Sequence, residues 1–222
     1  MEIIRQLVVI KNQNEAKIKE QLTALEQTSG TLPLSSEEIV TLLSQHLKSP
    51  KSSRLPVLIV AAAYKAVSEK FGENLLPLQA HNAADKQTGS LGDVEITLVN
   101  DDKIITSYEM KDKRVTKDDI DVAIKKLKGA KSKIDNYIFI TTDVIEQEVS
   151  DYAKSLYELT AIEFAILDCI GFIRHYLHFF HRTRIAFLNI YQELVLNEPT
   201  SSVSQPLKEV FLALRRAAET DR

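Results

Sequence analysis

At 222 residues the chain suits one large domain or a domain with an appendage. With 44% hydrophobic and 27% charged residues, it is composed like an ordinary water-soluble globular protein. A net charge of −3 argues against a uniformly basic nucleic-acid binder, and a single cysteine, Cys169, excludes an internal disulfide or a cysteine-built zinc site.

Taken in chain order, residues 2–27 predict a helix with Ile4, Leu7, Val8, Ile18, Leu22 and Leu25 apolar. The opening "MEIIRQLVVIKNQNEAK" has an acid before its short apolar run and no small-residue cleavage site after it. No secretory signal is expected, and the cytoplasm is the expected compartment. No apolar run reaches the roughly 18 residues of a membrane span. Ser35 and Glu38 stand at capping-box spacing before a helix over 36–47. A second helix is expected over 56–71, with Pro56 in its first turn. Its "VLIVAAA" half is apolar on every side, which predicts central burial. "HNAADKQTGSLG" reads as a polar loop.

The period then changes. Val94, Ile96 and Leu98 alternate with Glu95, Thr97 and Val99, which is strand spacing. "NDD" at 100–102 suits a hairpin turn, and "KIITSYEMK" a second strand. Thr116 and Asp119 predict the cap of a helix over 117–128, with Ile120, Ala123, Ile124 and Leu127 on its apolar face. "NYIFITT" (136–142) predicts a central strand, Asp143 and Glu146 a helix start, and "IEFAIL" (162–167) a further buried strand. Asp168 is placed to cap a helix that runs, with a bend, to about 196, and 206–219 predicts a final amphipathic helix. Both crossovers are long enough for right-handed βαβ units. The expected fold class is α/β (α+β): a mixed sheet flanked by helices, with helical additions at both termini. The expected organisation is an N-terminal helical region (1–54), a core (55–183) and C-terminal helices (184–222), in one compact domain.

Charge is segregated along this order. Residues 111–133 are rich in lysine, and "RHYLHFFHRTR" (174–184) holds three Arg, three His and no acid. Each run can serve phosphate contact or simply be a solvated face. His175, His178 and His181, three residues apart on a helix, drift around its axis and lack the i, i+4 pair that a zinc site prefers. Packing, an interface or phosphate contact are the better readings. Cys169, next to a helix cap, reads as a small buried residue.

The chemistry concentrates in the hairpin. Alternation puts Glu109 and Lys111 on one strand face and Met110 on the other. If the hairpin closes at 100–102, its open end brings Asp93 beside residues 109–111. Two carboxylates would then meet one ammonium. Two carboxylates without a cation repel. A divalent metal removes that cost, and oxygen ligands suit Mg²⁺. The lysine could orient or deprotonate a water, which is the equipment for metal-assisted phosphodiester hydrolysis. An exposed surface ion pair is the plain alternative.

Asp93 followed across a hairpin by Glu109-Met110-Lys111 resembles the motif of the PD-(D/E)XK nuclease superfamily. "ADKQTGSLGDVEI" followed by "YEMKDKRVT" looks more narrowly like type II restriction endonucleases of the SacI type. The likeness covers about residues 55–180. Gly92 stands where the superfamily's name has a proline. The resemblance implies a Mg²⁺-dependent DNA endonuclease in which Asp93, Glu109 and the Met110 carbonyl hold the metal and Lys111 positions the attacking water. It implies double-stranded DNA as substrate, a homodimer and a cognate methyltransferase. Glu95 would be an outer acid, and Glu69 or Glu73 a helix acid near the metal. Each of the three can equally be a plain surface glutamate. Lys86, Gln87, Thr88 and Lys113 are candidate DNA contacts. Two alternatives stay open: an inactive DNA-binding protein of the same fold, and a repair or structure-selective nuclease. For the dimer face, Phe187, Ile190, Tyr191 and Leu194, or Val210, Phe211 and Leu214, or the N-terminal helix each offer an apolar edge.

Overall fold

The helical and alternating patterns fold as a helical front followed by a sheet wound with helices. The computed structural model describes residues 2–28, 32–79, 90–129 and 134–220. Three helices come first: α1 (Glu2–Thr28), α2 (Ser36–Leu47) and α3 (Leu55–Phe71). They are followed by β1 (Glu73–Leu75), β2 (Val94–Leu98), β3 (Ile104–Lys111), α4 (Lys117–Lys128) and β4 (Asn136–Thr141). Then come α5 (Gln147–Ser155), the one-turn α6 (Tyr157–Thr160) and β5 (Glu163–Asp168). α7 (Cys169–Phe179), α8 (Arg184–Asn197) and α9 (Gln205–Thr220) complete the order.

The sheet runs β1-β2-β3-β4-β5. The first two pairings are antiparallel and the last two parallel, so the expected hairpin and both crossovers are present. Asn100, at φ 69°, turns the hairpin, and the Asp101 amide closes it on the Leu98 carbonyl. Ser35/Glu38 and Thr116/Asp119 both form complete capping boxes. Each satisfies amides that the helix interior cannot reach.

Helices cover both sheet faces. On one face Val94, Ile96, Tyr108 and Ile140 join α2, α3, α7, α8 and α9 in the larger core. Leu58 to Ala62 of α3 are wholly enclosed there, as an all-round apolar helix requires. On the other face Tyr137, Phe139 and Phe164 pack on Ile120 and Ala123 of α4 and on Val149 and Ala153 of α5.

Four expectations need correction. β1, only three residues long, was not foreseen, because an alternation cannot declare itself over "ENL". Glu73 opens that strand two residues past the end of α3 and lines a cleft on the larger-core face. β5 is an edge strand, not a wholly buried one, and Glu163, Leu167 and Asp168 are exposed. The helix after β4 begins at Gln147 with Glu146 as N-cap, while the Asp143 amide is taken by the Thr141 hydroxyl. The expected bend after Asp168 is a break at Phe180, followed by a 3-10 turn at His181–Thr183.

One buried polar group ties the helical front to the C-terminal helices. His46 has no exposed surface. Its Nε2 donates to the Leu207 carbonyl at 3.0 Å, which leaves Nδ1, 3.0 Å from the Tyr191 hydroxyl, to accept. Burial pushes its pKa down to about 4. The unfolded chain therefore binds a proton between the ordinary histidine value and 4 that the folded chain refuses. This contribution is full above the unfolded value and is lost as pH falls through the folded one, about 3 kcal/mol in all. Denaturant melts at pH 7 and pH 4.5 should show the loss in the wild type and a smaller one in His46→Gln. Equal slopes for the two proteins would refute the assignment.

Candidate active site

The open end of the β2–β3 hairpin builds the site. Val94 pairs with Tyr108 and Glu95 with Ser107. One step outward puts Asp93 across from Glu109. The Asp93 amide donates to the Tyr108 carbonyl at 2.7 Å, and Asp93 Oδ2 accepts the Met110 amide at 2.8 Å. These two bonds extend the ladder and fix the carboxylate at the sheet end.

Glu109 and Lys111 lie on the same sheet face as Tyr137 and Phe139, toward α4. Lys111 Nζ is 3.4 Å from Glu109 Oε1. Met110 points to the opposite face, where its side chain packs on the larger core. The structure thus brings Asp93, Glu109 and Lys111 together as the alternation requires.

The electrostatics follow from this crowding. Burial first, then the negative charge of Asp93, raises the Glu109 pKa above the ordinary glutamate value. The nearby Lys111 and Lys126 only partly oppose this. Burial pulls the Lys111 pKa down, but the Glu109 and Asp119 carboxylates outweigh it and hold the ammonium above its usual value. The oxygen donors at this spot are two facing carboxylates and the Met110 main chain, a set that suits a hard divalent cation. Among the described residues no group of three His, Cys, Asp or Glu side chains is gathered for a metal.

Two neighbours were not read from the sequence as site residues. Asp119 Oδ1 is 3.2 Å from Lys111 Nζ. Its other oxygen serves the Thr116 cap, and only that cap role shows in the sequence. The Tyr137 hydroxyl lies 3.0 Å from the Leu91 carbonyl and 3.3 Å from Glu109 Oε2, so it can steady the glutamate. No sequence signal separates Tyr137 from other aromatic residues of a central strand.

Glu95 Oε1 accepts the Leu91 amide at 2.6 Å and holds the segment that leads into Asp93. Lys113 is exposed just past the end of β3, so strand alternation no longer aims it. Its carbonyl takes the Thr141 hydroxyl. Lys86, Gln87 and Thr88 lie outside the described residues, as does the side chain of Glu69 on α3. Part of the basic run is neutralised, because Arg114 pairs with Glu146 and Lys117 with Glu148.

The remaining candidates separate from the site. A cleft of 670 Å³ lined by Tyr64, Phe71, Glu73, Tyr108, Phe172 and Phe179 lies on the other sheet face, that of the larger core. It is apolar and holds neither Asp93, Glu109 nor Lys111. His178 pairs with Glu37, His175 stacks on Phe179, and His181 belongs to the 3-10 turn, so the three histidines do not converge. Cys169 is fully buried, and burial pushes its thiol up to about 12, which makes it unreactive. No described helix is long and apolar enough to cross a membrane.

No curated protein matches the chain. A family model described as the SacI restriction endonuclease C-terminal domain matches residues 31–142. The matched span runs through α2, α3, the hairpin with Asp93, Glu109 and Lys111, α4 and β4.

Proposed function

The chain belongs to the SacI restriction endonuclease C-terminal domain family, and from that premise we propose that it is a Mg²⁺-dependent nuclease that hydrolyses double-stranded DNA in a restriction-type reaction. The observation that carries this reading is the meeting of Asp93, Glu109 and Lys111 on one end of the hairpin. Two facing carboxylates are a poor arrangement by themselves and a good one around a divalent cation.

Asp93, Glu109 and the Met110 carbonyl would hold the cation. Bound there, it would lower the pKa of a water and offset charge on the phosphate. Lys111 works as a fixed ammonium. Held between Glu109 and Asp119, it is placed to orient the attacking water and balance the phosphoryl charge. Asp119 holds that ammonium from the far side, and Tyr137 steadies Glu109. Cutting both strands needs two such sites, so the working form is a homodimer, accompanied by a methyltransferase that protects the host's own DNA.

The test is incubation of the purified protein with phage DNA and Mg²⁺. Discrete fragments are expected, lost on chelation and restored by added Mg²⁺. DNA left intact in both Mg²⁺ and Mn²⁺ would leave a binding protein in place of a nuclease, and a smear would remove the sequence-specific reaction.

A further inference from the structure

The N-terminal half of α1 stands apart from the rest of the fold. Ile18 and Leu22 pack on the larger core, Leu25 is buried in it, and Lys17 pairs with Glu209 of α9. Residues 2–13 are exposed without exception. Yet Ile3 is 74%, Leu7 61% and Ile10 52% exposed, and they recur at intervals of four and three residues. That 3.5-residue spacing is the seam of a helix that packs against another helix. Ile4 and Val8 widen the same stripe. So broad an exposed apolar face calls for a cover.

The chemistry of the face favours one cover. The polar positions are Glu2, Arg5, Gln6, Lys11, Asn12 and Gln13, with no aromatic residue and little net positive charge. A helix that lies on an anionic membrane carries a basic face and aromatic anchors. Here the stripe is aliphatic and self-complementary, as an isologous contact requires. The five aliphatics of the stripe present roughly 500 Å² per chain, so two copies together reach the about 1,000 Å² that a specific interface should clear.

We propose that residues 2–14 of α1 pair with the same segment of a second copy of this chain about a two-fold axis. The pairing rests on the nuclease reading for its purpose, which is to bring two active sites to one duplex. The α8 and α9 faces offer less, because Phe187, Tyr191 and Phe211 are buried in the core, Ile190, Leu194 and Leu214 pack against it, and Val210 alone is exposed.

The test is light scattering on the full chain, together with cysteine cross-linking. Cys169 is buried, so an introduced cysteine reports by itself. The wild type should show twice the 25.1 kDa of one chain. Leu7→Cys should give a covalent dimer on mild oxidation, while Val9→Cys, on the far side of the helix, should not. Leu7→Glu with Ile10→Glu should halve the mass with an unchanged circular dichroism spectrum. A wild type that stays at single-chain mass overturns the proposal, as does a dimer that Leu7→Cys fails to link. Sedimentation of the wild type with anionic vesicles, lost in the double glutamate variant, would assign the face to lipid instead. None of these readings needs cleavage, so an inactive but cross-linked dimer would count against the nuclease and not against the interface.

Discussion

Glu109→Gln should abolish DNA cleavage while leaving the metal-free protein at least as stable as the wild type at neutral pH. The two halves of this expectation have one cause. Burial and the charge of Asp93 raise the Glu109 pKa, so the folded protein carries a carboxylate that it disfavours. Below the ordinary glutamate value both the folded and unfolded states are protonated and no cost arises. As pH rises from there through the raised folded value, the unfolded chain gives up its proton first and stability falls. The glutamine variant lacks that slope. It loses the ion pair with Lys111, but the raised pKa shows that burial and Asp93 outweigh this contact. For cleavage, the loss of one anionic ligand should cost roughly a thousand-fold, the upper end of the scale seen when one charge-stabilising group is removed. Single-turnover cleavage would be measured beside DNA binding, which should persist. Asp93→Ala should be as inactive but less stable, because it strands the Met110 amide at a cost of about 1–3 kcal/mol. Wild-type cutting by either variant would end the assignment of the site.

Gly92→Ala should lose both stability and activity, through a contact that has nothing to do with charge. A Cβ at residue 92 would lie 2.5 Å from the Tyr108 carbonyl oxygen and 2.4 Å from Ser107 Oγ. A side-chain hydroxyl can rotate away. The carbonyl cannot, because it accepts the Asp93 amide at 2.7 Å and belongs to the hairpin ladder. Relief therefore requires β2 to move off β3 at the point where Asp93 faces Glu109. Overpacking of this kind costs about 1–3 kcal/mol, and a displacement near 1 Å at the reacting groups can cost about a hundred-fold in rate. The same close approach explains glycine at the place where the superfamily's name carries proline, since any Cβ would meet the same oxygen. Thermal melts and cleavage rates of Gly92→Ala would be measured together. A variant with wild-type melting and wild-type cutting would show that the strands tolerate the added carbon.

Much of the candidate site was legible in the sequence because its signals are local. A period of two places Glu109 and Lys111 on one face whatever surrounds them, and a short turn at residues 100–102 leaves Asp93 no place but the far end of the ladder. Both capping boxes depend only on a spacing of three residues. The crossovers follow from the length of chain between strands.

What the tertiary structure decided are the relations between elements. An apolar stripe reads the same whether its partner lies in the same chain or is still to come. The stripes of α8 and α9 carry Phe187, Tyr191 and Phe211 and are buried, while that of α1 runs out into solvent at Ile3, Leu7 and Ile10. Only packing distinguishes them. Asp119 shows in the sequence as a cap, and its contact with Lys111 exists because α4 lies over the end of β3. β5 is apolar enough to be central and is an edge, because among the described residues it ends the order β1-β2-β3-β4-β5. Residue type and spacing determined which groups can do chemistry, and the distances that set their pKa values came from how helices and strands stack, which no local pattern encodes.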